Sequence, residues 1–298
     1  MITFENCKIC DEKGEEIYSK QYDDDFLKKY FEDYYGLKAA KIIYMHLKNK
    51  KYQVLKCSKC KFMWQKNQPD KNFANKLYEE IIDKDKSFIK SEEMKKKREL
   101  RFKSEHLFLY NYFNKKINIL DFGAGWGSWL SFVQSDKCNL FALESSSSRK
   151  KYLKKIGVQV IDNISNEEYI NFFDYIRLEQ VLEHVTDLNI IINSLKKICS
   201  KKTIIHIGVP NGKKEINNTG NNFIKKGPIQ PLEHVNCFTN QSLKKLLDKF
   251  GFKPLTLKEI ILTHLKSNQS ISEKYKFLFK DLIDNVFSTS VKFILKSN

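Results

Sequence analysis

The sequence predicts an α/β protein: an open, mostly parallel sheet with helices on both faces, and a small amino-terminal module that binds a metal. Two observations lead to this fold. From residue 116 onward, apolar runs of strand length alternate with amphipathic stretches of helical length, as in parallel sheets. Before residue 70, four of the seven cysteines form two C-x2-C pairs, a spacing typical of zinc sites.

The composition is that of a globular protein. Hydrophobic residues make up 41% and aromatic residues 13% of the 298 residues, which is enough to bury a sizeable core. No run of 18 or more apolar residues is present, and "MITFENCKIC" lacks the basic start and apolar stretch of a signal peptide. We therefore expect a cytoplasmic protein without a membrane span.

The net charge of +17 raises the question of a nucleic-acid partner, because clustered basic residues gain affinity for phosphates by releasing counterions. Lysines are scattered through every segment, and the one clear cluster, "KKKRELRFK" from Lys95, lies on a predicted helix where it can be a solvated face. Arginine, the residue that reads phosphates with fixed geometry, occurs only four times in the sequence. The charge therefore leaves nucleic acid as a secondary possibility.

The two cysteine pairs are "CKIC", with Cys7 and Cys10, and "CSKC", with Cys57 and Cys60. Each short turn presents two thiolates to one side of a metal, so the four predict a closed, structural zinc site. The long gap between the pairs predicts an insertion with its own structure. Free thiols or a redox pair are the alternatives, and neither explains a second knuckle. The remaining thiols show no pattern and suit core or surface positions: Cys138, Cys199 and Cys237.

The pattern after residue 116 predicts a definite order of elements. Strands are expected at "INILDFG", "NLFALES", "VQVID", "FDYIRLEQ" and "TIIHIGVP", and helices at "WGSWLSFVQS", "SSRKKYLKKIG" and "DLNIIINSLKKICS". The predicted organisation is a zinc-binding module with an insertion over 1–70, a helical connector over 71–115, the sheet domain over 116–265, and a helix with a closing strand over 266–298.

The first strand of this sheet turns into the glycine-rich loop "LDFGAGWGSWL", and ligands of open parallel sheets bind at such turns. Its glycines are Gly123, Gly125 and Gly127, with a serine where a dinucleotide-binding loop needs its third glycine. Asp121 at the strand end would repel a diphosphate, but it suits a cationic ligand such as S-adenosylmethionine. The alternative is a tight turn that binds nothing.

Acidic and amide side chains end the next strands. Glu144 follows the glycines by about twenty residues, where a carboxylate can accept hydrogen bonds from both hydroxyls of a ribose. Asp162 ends the third strand and either accepts from an adenine amino group or is simply solvated. Glu179 and Gln180 end the fourth strand and are candidate contacts to the donor or the substrate.

Together these segments resemble the class I S-adenosylmethionine-dependent methyltransferases. The resemblance covers Ile117 to Phe252 and is carried by "ILDFGAGWGSWL", "FALESS", "FDYIRLEQVLEHVTD", "GVPN" and "EHVNCFTNQSLKKLLDKFGF". It implies a Rossmann-like sheet and S-adenosylmethionine as methyl donor. The stretch "YQVLKCSKCKFMWQKNQPDKNFANKLYEE" is similar to the zinc-binding segment of one branch of these enzymes. That branch commonly methylates sugars and other small metabolites, which implies a nucleotide-linked sugar or glycan precursor as acceptor.

The four letters "LEHV" occur twice, and the first copy lies in "EQVLEHVTD". Relatives that methylate ubiquinone precursors carry an E-x-x-E-H divalent-metal motif here, which Gln180, Glu183 and His184 resemble. An amide replaces the first acid, and a neutral ligand weakens a site for a hard cation, so bound Mg²⁺ is the lesser alternative. The main alternative is that Glu183 and His184 form a hydrogen-bonded structural pair at the start of a helix.

The second copy follows a polar loop over 211–231 that suits a mobile lid. Its Glu233 and His234 resemble the Glu-His pair that acts as base in sugar C-methyltransferases of the zinc-bearing branch. We therefore expect His234 to take a proton with help from Glu233; the alternative is a structural pair that anchors the lid. We interpret the two copies as segments with different functions and not as an internal repeat.

Three functions remain open on the sequence alone. The first is a methyltransferase for a nucleotide-linked sugar or glycan precursor, and an enclosed polar pocket beneath the 211–231 loop would favour it. The second is an RNA methyltransferase, which a concentrated basic face on the zinc module would favour. The third is a zinc-dependent binding protein without catalysis, because a fold does not fix its chemistry.

Overall fold

A computed structural model of the chain describes residues 1–256, 258–259, 261–262 and 290–297. These residues form two compact units, each assembled from separate segments of the chain. Unit 1 comprises Met1–Lys84, Gln180–Ile191 and Val209–Lys249, and unit 2 comprises the described parts of Asp85–Glu179, Ile192–Gly208 and Phe250–Asn298. The helix expected in the carboxyl-terminal tail lies outside the described residues, and the division into 1–70, 71–115, 116–265 and 266–298 stays a prediction.

The strands of the described residues follow in chain order. They are β1 (Ile2–Thr3), β2 (Glu15–Gln21), β3 (Lys51–Lys56), β4 (Met63–Gln65), β5 (Asn67–Gln68), β6 (Ile117–Phe122), β7 (Cys138–Leu143), β8 (Gln159–Ile161), β9 (Tyr175–Glu179), β10 (Ile204–Pro210), β11 (Asn236–Cys237), β12 (Phe252–Pro254) and β13 (Ser290–Ser297). The α-helices are α1 (Asp25–Tyr35), α2 (Leu37–Leu47), α3 (Lys71–Lys76), α4 (Lys84–Phe113), α5 (Ser147–Lys155), α6 (Leu188–Ile198) and α7 (Asn240–Lys249). None of the helices in this described part is long and apolar enough to cross a membrane.

Unit 2 is built on a sheet whose described strands run in the order β12-β13-β10-β9-β6-β7-β8. The pairs from β10 to β8 are parallel, and β12 pairs antiparallel with β13 at the edge. Ile119 and Leu120 of the central strand β6 point to opposite faces, and both are fully buried. Burial on both faces is the reason these strands read as continuous apolar runs, and the predicted α/β fold with a Rossmann-like parallel sheet is confirmed.

One predicted helix of unit 2 is wrong. The stretch "WGSWLSFVQS" forms turns and a single 3-10 turn at Leu130–Phe132 instead of an α-helix. Gly125 and Gly127 hold left-handed backbone angles, with φ of 58° and 69°, which an α-helix cannot include. The apolar periodicity instead reflects burial of Trp129, whose ring stacks near Tyr175 at 5.9 Å.

Unit 1 contains a second sheet, antiparallel and ordered β11-β4-β3-β2 among the described strands. The segment between the cysteine pairs adds α1 and α2, so the predicted insertion does have its own structure. Asp24 caps α1 by accepting from the amide of Phe26 at 2.9 Å, and Gly36 ends the helix at a φ of 86°. Leu27 and Phe31 of α1 are fully buried in the core of this unit.

Candidate functional site

The four cysteines of the two knuckles converge in unit 1. Sulfur–sulfur distances are 3.6 Å for Cys7–Cys60 and for Cys7–Cys10, 3.3 Å for Cys10–Cys57, and 3.7 Å for Cys10–Cys60. A tetrahedral zinc ion with bonds of about 2.3 Å separates its thiolates by about 3.8 Å. Donor chemistry and spacing therefore both fit zinc. Four thiolates would complete the coordination shell, so the metal would stabilise the fold and would not bind substrate.

The two knuckles share one backbone pattern, which explains why they can face each other across a metal. Asp11 donates its amide to Cys7 O at 2.8 Å, and Lys61 donates its amide to Cys57 O at 3.1 Å. Both residues sit at a φ of 60°. The hydrogen bond from the Cys60 thiol lowers the pKa of the Cys7 thiol, and the thiolate is the form of cysteine that binds a metal.

The glycine-rich loop lies in unit 2 and is tied to Glu144. The amide of Gly125 donates to Glu144 Oε2 at 2.8 Å, while Oε1 accepts from the amides of Ser145 at 2.8 Å and Ser146 at 3.0 Å. Gly123 also adopts a positive φ, of 74°, and a Cβ placed on Gly125 would meet nothing within 4 Å. The loop and the acid predicted to bind the donor are thus brought together.

Asp121 is placed differently from the other acids. Its side chain is 2% exposed and lies 3.3 Å from Arg177 Nη1, on the neighbouring strand β9. Burial raises the pKa of the Asp121 carboxyl to about 6, although the Arg177 guanidinium opposes this rise. The charge of Asp121 is therefore directed at an arginine inside the unit, and a contact with the donor stays a prediction.

This ion pair is part of a larger buried cluster beneath the sheet's carboxyl ends. Arg101 contacts Glu179 Oε1 at 3.0 Å, and His206 Nε2 lies 3.1 Å from Glu179 Oε2. Burial alone would raise the pKa of Glu179, but the hydrogen bond with His206 and the nearby arginines lower it well below its usual range. Glu179, a predicted donor or substrate contact, is thus engaged inside unit 2. The cluster comprises Arg101, Glu105, Asp121, Arg177, Glu179 and His206.

The last two predicted donor contacts are solvated. The Asp162 side chain is 82% exposed and pairs with Lys150 Nζ at 2.6 Å, and this hydrogen bond lowers the pKa of Asp162. Gln180 belongs to unit 1, is exposed, and has a φ of 60°. The structure leaves both side chains accessible, and their contacts with a donor stay predictions.

Within unit 1 the two "LEHV" copies meet. The rings of His184 and His234 lie 4.7 Å apart between centroids and are nearly perpendicular, at 83°. His184 Nδ1 is 2.9 Å from the carbonyl oxygen of Glu233, and His234 Nδ1 is 2.6 Å from that of Gly227. A carbonyl oxygen only accepts, so the Nδ1 atom of each ring carries a proton, and in a neutral His234 the Nε2 atom keeps a lone pair. Burial lowers the pKa of His234 to about 4, so its imidazole is neutral near pH 7.

Tyrosines that the sequence analysis missed surround this histidine pair. Tyr35 Oη donates to Glu233 Oε1 at 2.6 Å, and Tyr78 Oη lies 3.0 Å from His184 Nδ1. Burial, and then the charge of Glu233, raise the pKa of Tyr35 well above its usual value, so it acts as a donor. Tyr34 lies beside Tyr35, with ring centroids 4.7 Å apart. These contacts join positions more than a hundred residues apart, so no local pattern could predict them.

The same region contains a second set of metal-binding groups. Ligand atoms of Glu183, His184 and His234 all lie within 4.8 Å of one another. Two imidazoles and one carboxylate suit a transition metal better than Mg²⁺, which prefers oxygen ligands. The group takes Glu183 and His184 from the first copy and His234 from the second, and Mg²⁺ binding, the lesser alternative from the sequence, stays a prediction.

Comparison with known proteins gives the family. The model of the methyltransferase domain matches residues 94–257, just over half of the chain. The chain belongs to the methyltransferase domain family. Its reaction class is therefore methyl transfer from S-adenosylmethionine. No curated protein matches the chain in sequence.

Three structures described as methyltransferases are among the solved structures similar to this chain. The plantazolicin methyltransferase BpumL, in complex with a monoazolic desmethylPZN analog and SAH, is 17% identical over 76% of this chain and 94% of its own, with a TM-score of 0.48. The 1,6-didemethyltoxoflavin-N1-methyltransferase of Burkholderia thailandensis is 17% identical over 53% of this chain and 68% of its own, with a TM-score of 0.39. A SAM dependent methyltransferase of Aquifex aeolicus is 15% identical over 63% of this chain and 92% of its own, with a TM-score of 0.40.

Proposed function

We propose that this methyltransferase acts on a small-molecule acceptor, a nucleotide-linked sugar or glycan precursor, with His234 as the base. The observation that carries the proposal is the histidine pair of unit 1. The Gly227 carbonyl holds His234 in the tautomer whose Nε2 can accept a proton. At neutral pH the imidazole of His234 is in its basic form, and the fixed tautomer leaves Nε2 as the atom that accepts a proton.

In unit 2 the donor would be bound by the glycine loop and Glu144. Glycines let the backbone approach the ligand closely, and the Glu144 carboxylate would accept hydrogen bonds from the ribose hydroxyls. Gly123, Gly125 and Gly127 supply the loop, while Asp162 and Gln180 are accessible for further contacts. Asp121 would support donor binding indirectly, because its carboxylate pairs with Arg177 instead of contacting the donor.

The chemical step needs few groups. The acceptor atom would form a bond to the methyl carbon while the bond between that carbon and the sulfonium sulfur breaks. S-adenosylhomocysteine would leave with its sulfur neutral, and the proton of the acceptor would pass to His234 Nε2. The protein mainly aligns the reactants and removes that proton. Glu233, the chain neighbour of His234, would assist the base as in the Glu-His pair that the sequence resembles; its carboxylate accepts a hydrogen bond from Tyr35.

The sugar-type acceptor is favoured by the polar groups around the histidine pair. Hydroxyls of Tyr35 and Tyr78 and the carboxylate of Glu233 offer the donors and acceptors that a polyhydroxylated ring requires. Resemblance of the amino-terminal segment to the zinc-bearing branch supports the same class. In this proposal Cys7, Cys10, Cys57 and Cys60 bind one structural zinc ion and take no part in the reaction.

The test is a labelling experiment with a matched variant. Purified protein and methyl-labelled S-adenosylmethionine are added to a fractionated extract of the source organism, and label is measured in the small-molecule, glycan and RNA fractions. We expect label in small molecules or glycans with the native protein and none with His234→Gln, while His46→Gln retains activity. Transfer to RNA would replace the sugar-type acceptor with the RNA alternative, and an active His234→Gln variant would remove His234 as the base.

A further inference from the structure

The first cysteine knuckle carries a lysine whose ammonium group is fully engaged. Lys8, next to Cys7, directs Nζ to Gln68 Oε1 at 2.7 Å, to the carbonyl oxygen of Thr186 at 2.8 Å, and to Asn236 Oδ1 at 2.9 Å. An ammonium has three N–H donors, so all three are used. These three hydrogen bonds join the knuckle to distant parts of unit 1.

Two of these acceptors stand at equivalent places in the two "LEHV" copies. Thr186 directly follows the first copy, and Asn236 directly follows the second. Lys8 therefore spans the ends of the two segments that carry His184 and His234. A lysine at this position of the knuckle would have no reason to point inward if its role were only to solvate the surface of a zinc site.

Asn236 completes the connection between the copies. Its side chain is fully buried, and Nδ2 donates to the carbonyl oxygens of Leu182 at 2.8 Å and Val185 at 2.6 Å. Its own amide donates to the carbonyl oxygen of Glu183 at 3.0 Å. Three carbonyls of the first copy thus accept hydrogen bonds from one residue that follows the second copy, and loss of these bonds would leave polar groups without partners.

The second knuckle holds the second copy directly. Strand β4 begins three residues after Cys60 and pairs with β11, with Trp64 opposite Asn236. Gln65 at the end of β4 is also fully buried, and its Nε2 donates to the carbonyl oxygens of Gln230 at 2.6 Å and His234 at 3.0 Å. The backbone of the candidate base is therefore anchored to the strand that leaves the metal centre.

We propose that the four-cysteine centre positions the His184–His234 pair through Lys8, Gln65 and Asn236. A bound zinc ion would fix the two knuckles to each other. Lys8 from the first knuckle and β4 from the second then hold the two "LEHV" segments in register, and this fixes the carbonyls that set the tautomers of both histidines. The three residues are positioning residues. The inference goes beyond the proposed function, and it stands whichever acceptor is methylated.

The experiment reads the histidines themselves and needs no acceptor. Protein labelled with ¹⁵N at its six histidines is studied by NMR, with signals assigned from single His→Gln variants. Four samples are compared: zinc-loaded native protein, native protein stripped of zinc by a chelator under reducing conditions, Lys8→Met and the control Lys13→Met. Lys13 is exposed and lies just beyond the same knuckle. Zinc per chain and donor affinity by calorimetry are measured on each sample.

We expect the zinc-loaded native protein and Lys13→Met to show the Nδ1–H signature at His184 and His234. Lys8→Met, with one zinc per chain and native donor affinity, should lose this signature, and so should the zinc-free native protein. His206, which lies in unit 2, should keep its signals in all four samples. Unchanged His184 and His234 signals in zinc-loaded Lys8→Met, or in the zinc-free protein, would overturn the proposal. Should Lys8→Met fail to fold, the zinc-free sample still decides the outcome.

Discussion

Glu144 gives the sharpest prediction about the donor site. Its carboxylate is 4% exposed and accepts three backbone N–H groups, from Gly125 at 2.8 Å, Ser145 at 2.8 Å and Ser146 at 3.0 Å. In Glu144→Gln one oxygen becomes an NH₂ group that cannot accept, so at least one of these amides loses its partner and the glycine loop shifts. The same change removes the charge that the donor's ribose hydroxyls would meet.

The expected size follows from the hydrogen bonds lost. One hydrogen bond to a charged group contributes about 1.5–3 kcal/mol, and about 1.4 kcal/mol corresponds to a tenfold change in affinity. We therefore expect Glu144→Gln to weaken binding of S-adenosylhomocysteine by roughly 10- to 100-fold in titration calorimetry. The matched control is Glu168→Gln, at a residue that is exposed in the same unit and belongs to no predicted site; its effect should stay below about threefold. Native affinity in Glu144→Gln, or an equal loss in both variants, would refute the mapping of the donor site.

Three other perturbations test separate parts of the structure. Burial lowers the pKa of His234 to about 4, so the basic form of its imidazole persists above that pH. Turnover should therefore be constant from about pH 8 to about pH 5 and should fall at lower pH. A bend near pH 6.5 in the pH–rate profile, the ordinary histidine value, would contradict this prediction. Gly127→Ala should lower the free energy of unfolding in urea by about 2–4 kcal/mol, because a Cβ there meets Leu153 Cδ2 at 2.9 Å, whereas Gly125→Ala should cost about 1–2 kcal/mol. Arg177→Met should destabilise the protein by about 3–5 kcal/mol in the same assay, since it leaves a buried carboxylate unpaired; a loss below about 1 kcal/mol would show that the pair adds little.

The sheet of unit 2 could be predicted because its strands are apolar on both faces and bounded by turns. The same rule failed at "WGSWLSFVQS", where apolar spacing suggested a helix but the left-handed glycines at 125 and 127 break it. Part of the four-cysteine cluster could be predicted from spacing, since each C-x2-C turn brings its own two thiols together. The shared backbone hydrogen bond and positive φ of the two knuckles are visible only in the structure.

The candidate site was predictable only where its residues are close in sequence. Glu144 lies nineteen residues from Gly125 across adjacent parallel strands, and the fold class fixes such neighbours. Arg177 lies 56 residues from Asp121 and Tyr35 lies 198 residues from Glu233. No local pattern reports those contacts, so the sequence did not predict Arg177 as the partner of Asp121.

The arginines illustrate the same limit. Their scarcity suggested that the positive charge of the chain is compositional, and the structure adds where three of the four are used. Arg101 and Arg177 bind carboxylates inside unit 2, and Arg149 lies 3.9 Å from Glu144 near the glycine loop. These side chains lie inside that unit or beside its glycine loop, which leaves lysine as the main positive group of the surface.

The decisive measurement is the transfer of labelled methyl groups from S-adenosylmethionine by native protein and by His234→Gln, with donor affinity measured on both. We predict label in a small-molecule or glycan fraction with the native protein, loss of that label in the variant, and donor affinities within about twofold of each other, because the two functions lie in different units. Label in RNA, or equal transfer by the variant, would contradict the proposed acceptor or the proposed base, respectively.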